Sequence, residues 1–196
     1  MKKHILTATL ALLLAGGPAM AQQAQAPAQP AAPGRPDVKT VGDWFVRCFP
    51  IESPSPCDMF QEEDSQATRQ RVLSLSIAYV PSMNRHAVQV MVPLGVSIPK
   101  GLTIQADSYT SPMLKYRRCD RNGCYVEMAV DNALVEALAK GGEAGKVNIV
   151  IDNGKAYAIN FSLKGFASAH DDMVSQARAK AKNVTKPADG QQPGQQ

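Results

Sequence analysis

Three histidines, one tryptophan and 6% aromatic residues leave this chain of 196 residues short of the side chains that build most catalytic and base-stacking sites. No Cys-x-x-Cys occurs, which removes thioredoxin-like redox chemistry, and Cys48 and Cys57 are too far apart for the paired spacing of a zinc site. No Gly-x-Ser-x-Gly elbow surrounds a serine, so Ser162, His170 and Asp171 offer the residue types of a hydrolytic triad without its local signature. There is no internal repeat. Beyond the N-terminus no apolar run approaches the roughly 20 residues that span a bilayer, so no transmembrane segment is expected. No catalytic residue, metal ligand or cofactor site can be assigned.

What is present speaks first of export. Met1-Lys2-Lys3-His4 is a short positive stretch, Ile5–Ala15 is apolar, and Ala19-Met20-Ala21 is a small-x-small cleavage site. Residues 1–21 therefore read as a signal peptide cleaved after Ala21, which places the mature protein in the periplasm or outside the cell. Its removal takes two lysines and no acid, leaving 19 basic against 17 acidic residues. Most of that excess lies in the C-terminal tail, where Arg178, Lys180, Lys182 and Lys186 face Asp189 alone. The charge thus argues against nucleic acid as a partner and suits the tail to weak contact with an anionic surface. Residues 22–37 form an Ala/Gln/Pro-rich tether, 38–174 a single domain, and 175–196 a basic and then Gln/Pro/Gly-rich flexible tail.

The most informative stretch of the domain is Lys115–Val126. Cys119 and Cys124 bracket Asp-Arg-Asn-Gly, so the segment reads as a disulfide-clipped hairpin, with Asn122-Gly123 supplying the positive φ of a tight turn. Four cysteines allow three pairings. Local closure favours Cys48 with Cys57 and Cys119 with Cys124, each pair being joined by a short, turn-rich segment. Both bridges require an oxidising compartment, in agreement with the leader.

Elsewhere the pattern alternates with period two. Val41–Phe49 is a strand with Trp44, Val46 and Cys48 on one face, Cys57–Gln61 a second, and Glu62–Gln66 an acidic solvated connection. Arg71–Tyr79 turns Leu73, Leu75, Ile77 and Tyr79 inward, and Ala87–Val92 does so with Val88, Val90 and Val92. Leu102–Ala106 adds a strand, and Lys146–Ile151 with Lys155–Phe161 forms a hairpin around Asp152-Asn153-Gly154. The period changes twice, giving a short helix from Asp131 to Gly141 and a final helix over Phe166–Val174 that can fray on to Lys182. The fold class is mainly β: an antiparallel sandwich or barrel-like domain with one short helix and a C-terminal helix, stapled by two disulfides. Trp44 is expected in the core, His86 at a strand start, and His170-Asp171-Asp172 on the solvent side of the last helix.

Asp43-Trp44 with Cys48 and Cys57, then Val92-Pro93-Leu94-Gly95, Gly101-Leu102, the Cys119 to Gly123-Cys124 hairpin and the closing Phe161-Ser-Leu-Lys-Gly165-Phe166 stand in a distinctive order. That order resembles the invasion-associated locus B family of exported proteobacterial proteins, over Val41–Met173. The resemblance implies an exported, mainly β protein, connected in name with entry into host cells, and structural roles for Trp44, Gly123, Gly165 and Phe166. The expected function is a non-enzymatic accessory or interaction protein whose partner is an envelope or host-surface protein. A small-ligand or lipid binder is the alternative, and a hydrolase the third reading.

Overall fold

The computed structural model describes residues 34–184; the expected signal segment and most of the tether lie outside the described residues, as does the chain past Val184. The strands are β1 (Asp37–Val41), β2 (Trp44–Cys48), β3 (Cys57–Asp64), β4 (Arg71–Val80), β5 (Arg85–Val92), β6 (Leu102–Ala106), β7 (Tyr109–Thr110), β8 (Arg118–Asp120), β9 (Gly123–Val130), β10 (Ala144–Val150) and β11 (Ala156–Ser162). Helix α1 (Asn132–Lys140) follows β9 and helix α2 (Phe166–Val184) follows β11. The strands form an antiparallel seven-stranded sheet in the order β1-β2-β3-β4-β5-β9-β8 and an antiparallel four-stranded sheet in the order β11-β10-β6-β7. Both sheets are open, so the fold is mainly β without being a closed barrel. No helix among the described residues is long and apolar enough to cross a membrane.

The alternation read from the sequence decides which side chains enter the core. Trp44, Val46, Met59, Leu75, Ile77, Val88, Val90 and Val126 come from the large sheet, and Leu102, Ile104, Val147, Ile149 and Phe161 from the small one. Helix residues Leu134, Leu138, Phe166, Ala169 and Met173 join the same cluster. One contiguous core therefore takes its apolar faces from both sheets and both helices.

Four expectations are corrected. The first strand is two strands, because Gly42, with φ of 62°, turns the chain between Val41 and Trp44. Glu62, Glu63 and Asp64 are not a loop but the end of β3, where Arg71 of β4 neutralises Glu62 and Asp64, the latter at 2.6 Å. Among the described residues Glu63 has no cationic partner, and burial, then the nearby Asp43 and Asp64, push its carboxyl above the usual range. The final helix takes the longer of its expected extents and continues to Val184, and it does not fray past Val174, since Ala177 is buried in the core, so the tail begins later than expected. Alanines and lysines past Val174 have good helical propensity, which a reading based on apolar spacing undercounted.

The clipped hairpin is also built differently at its tip. Register pairs Cys119 with Cys124 and Asp120 with Gly123, so the turn residues are Arg121 and Asn122. Asp120 Oδ1 accepts the Asn122 N–H at 2.8 Å, and that bond, together with Arg118, holds the Asp120 carboxyl below its ordinary range. Gly123 opens β9 with φ of 157°, and a Cβ there would lie 2.4 Å from the Val92 carbonyl oxygen of β5. The glycine is needed because two backbones approach closely, as well as for its φ. The bridges are Cys48–Cys57 and Cys119–Cys124, with Cα separations of 4.1 and 4.0 Å.

Replacing Cys119 and Cys124 together by serine should cost about 2 kcal/mol in urea unfolding, the value for a short closed loop. An unchanged midpoint would remove the clip from the stability of the domain. Gly123→Val should cost at least as much, because its side chain must displace the edge of β5 as well as adopt an unfavourable φ.

Candidate functional site

Two clusters gather the polar and aromatic residues that could act. The first lies where the β1–β2 turn meets the β11–α2 turn. Trp44 is fully buried, its Nε1–H donates to the Ser162 carbonyl at 3.0 Å, and its ring meets Phe166 and Phe161 edge-on at centroid distances of 5.1 and 6.4 Å. Gly42 and Gly165 face each other with φ of 62° and 82°. A Cβ on Gly42 would come within 2.4 Å of the Lys164 carbonyl, and one on Gly165 within 2.7 Å of the Val41 carbonyl, so only glycine fits at either place. Gln61, almost wholly buried, spans the junction: its amide donates to the Asp43 carbonyl and accepts the Ser162 N–H, each at 2.7 Å. Nothing in its sequence neighbourhood marked Gln61, since an isolated inward glutamine in a strand carries no pattern.

This junction answers the triad expectation. The Ser162 hydroxyl donates to Asp43 Oδ2 at 2.7 Å and accepts the Lys164 N–H at 3.1 Å. Among the described residues no hydrogen bond joins it to a histidine. Ser162 holds a turn, and the structure does not bring it into a catalytic hydrogen-bond relay.

The second cluster is a histidine pair, and it corrects the expectation that His170 faces solvent. His170 of α2 points inward and places its Nε2 3.0 Å from Nε2 of His86, the buried second residue of β5. Asn132, the first residue of α1, sets its amide oxygen 3.3 Å from His86 Nδ1. The two rings and Asn132 thus form one chain of polar contacts, which His170 Nδ1 continues to Asp171 Oδ1 at 3.2 Å. The Tyr79 ring covers His86 on one side, and Phe166 stacks parallel to His170. Arg178 donates to the Tyr79 hydroxyl at 2.9 Å, so part of the basic tail is engaged with the sheet. Asp172 pairs with Lys39 at 3.0 Å, and Asp171, though exposed, is the one triad residue type brought against His170, while Ser162 is not. Residues 84 positions apart met here, which no local periodicity can reveal.

A third group lies on the outward face of the large sheet. Arg47 makes a bidentate pair with Asp58 at 2.8 and 2.7 Å, Ser76 donates to the same carboxylate, and the guanidinium lies 4.3 Å over the Phe60 ring. Phe45, partly exposed, stacks on Phe60. Alternation of Phe45, Arg47 and Phe49 against the inward Trp44 and Val46 was the available signal for it. No group of three or more metal-ligating side chains occurs among the described residues. Surface depressions are present as well, one of about 220 Å³ beside Met113, Met128 and Leu134 and a larger one of about 620 Å³ along α2 beside Val174 and Arg178.

Residues 44–174 match the family described as "Invasion associated locus B (IalB) protein". The chain belongs to this family. Two Brucella abortus proteins, each named an invasion protein B homolog and from strains 2308 and 9-941, are 31% identical over 133 residues, covering 68% of this chain and 76% of theirs. The crystal structure of invasion associated protein B from Bartonella henselae superposes with a TM-score of 0.62 at 22% identity, covering 71% of this chain and 96% of that one, which fixes the shared fold. The matched span takes in Trp44, all four cysteines, Gly123 and the Gly165-Phe166 turn.

Burial lowers the pKa of His86, with His170 adding to the effect and the Asn132 contact opposing it. The unfolded chain therefore takes up this proton at higher pH than the folded one. Stability from His86 is complete above its ordinary value of 6.5 and declines as pH falls below it. Melting temperature should drop between about pH 7 and pH 5, and His86→Gln should flatten the drop. Parallel curves for the two proteins would show that the pair does not titrate in this way.

Proposed function

We propose that this protein is an exported, non-enzymatic accessory protein of the cell envelope that acts by binding another protein. The observation that carries the reading is how the reactive side chains are used: all four cysteines are bridged, Ser162 is held by Asp43, and the two core histidines hold each other. A disulfide-stapled sheet domain of this kind suits an oxidising compartment, and the leader-like residues 1–21 suit export to it. The outward Phe45, Phe60 and Arg47 are residue types that dominate protein contacts when they become desolvated. The names of the Brucella relatives connect the family with invasion, and a host surface is one setting for such a partner.

The test is a cross-linked pull-down of the tagged mature protein from separated periplasmic and outer-membrane fractions, identified by mass spectrometry. One partner recovered reproducibly from the same fraction is expected. Recovery of the protein alone from both fractions would overturn the binding reading, and turnover of ester, peptide or glycan substrates would overturn the non-enzymatic one.

A further inference from the structure

Resting on that reading, we propose that the free edge of β11 docks an extended, acidic segment of the partner protein. The direction of the β11 backbone groups follows from the bonds at its two ends. Lys155 and Leu163 bond toward the β10 side, through Ile151 N–H to the Lys155 carbonyl and Leu163 N–H to the Glu143 carbonyl. Main-chain groups two residues apart in an antiparallel ladder point the same way, so Tyr157, Ile159 and Phe161 also bond to β10. Ala156, Ala158, Asn160 and Ser162 then turn their N–H and C=O groups away from it.

At Ser162 that outer edge is closed, since Gln61 takes its N–H and Trp44 its carbonyl. Lys164 is closed as well, its carbonyl accepting from the Asp43 N–H. Ala156, Ala158 and Asn160 are exposed, and among the described residues β11 is the end strand of its sheet. Edge strands are ordinarily guarded by a charge, a proline or a bulge. The seven residues Ala156–Ser162 contain no charge and no proline, and their register with β10 runs without a shift.

Charge decides what the edge accepts. Lys146 stands beside Asn160 on the outer face and Lys164 follows the strand, while Lys155 precedes it with its ammonium 4.9 Å over the Tyr157 ring on the opposite side; all three are exposed. Among the described residues none of them forms an ion pair with a carboxylate. A second copy of β11 offers no carboxylate to them, since Ala156–Ser162 has none. The opposite side of β11 carries the half-buried Ile159 and the 44% exposed Tyr157, which continue the core row outward from Phe161. The fitting ligand is a strand of about six residues that alternates acidic and apolar side chains, adding to the sheet by main-chain bonds.

The probe is a synthetic Glu-Val-Glu-Val-Glu-Val peptide, with Lys-Val-Lys-Val-Lys-Val as its counterpart, added to the full mature chain while amide hydrogen exchange is followed by NMR. Saturating acidic peptide should slow exchange of the Ala156, Ala158 and Asn160 amides about tenfold, and the basic peptide should not. Ala158→Pro, which removes only an outward N–H, should abolish this protection while the melting transition is retained. Lys146→Glu with Lys155→Glu should exchange the preference between the two peptides without altering the strand. The proposal is overturned if the three amides are not protected, if both peptides protect them equally, or if protection appears with protein concentration alone, which would assign the edge to a second copy. If Ala158→Pro folds and recovers the pull-down partner as fully as the parent does, the edge is wrong and the binding function stands.

Discussion

The close passage of Gly42 against Gly165 sets the geometry of this domain. Because neither residue has a Cβ, the β1–β2 turn and the β11–α2 turn approach until backbone meets backbone, and Trp44 can then reach the Ser162 carbonyl. That single approach joins the edge of the large sheet to the edge of the small one and fixes where α2 begins. Phe161 and Phe166, on either side of Ser162, enclose the indole from two directions. Burial of these three rings supplies much of the driving force, and Gln61 satisfies the main-chain groups that the approach would otherwise strand.

The remaining tethers extend the same arrangement outward. Once Phe166 is placed, α2 runs across the large sheet, and the His170–His86 and Arg178–Tyr79 contacts hold it there. The disulfides act locally, each joining directly paired strand residues, so they reinforce two hairpins and leave the joining of the sheets to packing. Closing the C-terminal half of β11 against Trp44 and Gln61 has a further result: its N-terminal half is the part of that edge left open.

The functional reading follows from commitment of side chains. A serine, a histidine and an aspartate close together in sequence take their meaning from their partners: Ser162 holds a turn, His170 ties α2 to β5, and the exposed Asp171 lies beside the His170 ring. What the surface retains is the vocabulary of protein contact: stacked phenylalanines beside a paired arginine on one sheet, and an uncharged strand edge between lysines on the other.

Local properties were legible in the chain itself. Period-two alternation placed Leu73, Leu75 and Ile77 in the core, short spacing paired the cysteines correctly, and the order of Trp44, the hairpin and Gly165-Phe166 marked the family, because each depends on residues near one another in sequence. Contacts between distant segments were not legible. The Gly42–Gly165 approach, the bridging Gln61, the His86–His170 pair and the turn one residue earlier than Asn122-Gly123 were decided by register and packing. A buried polar side chain takes its meaning from the group that satisfies it, and that group is brought into reach only when the sheets close on each other.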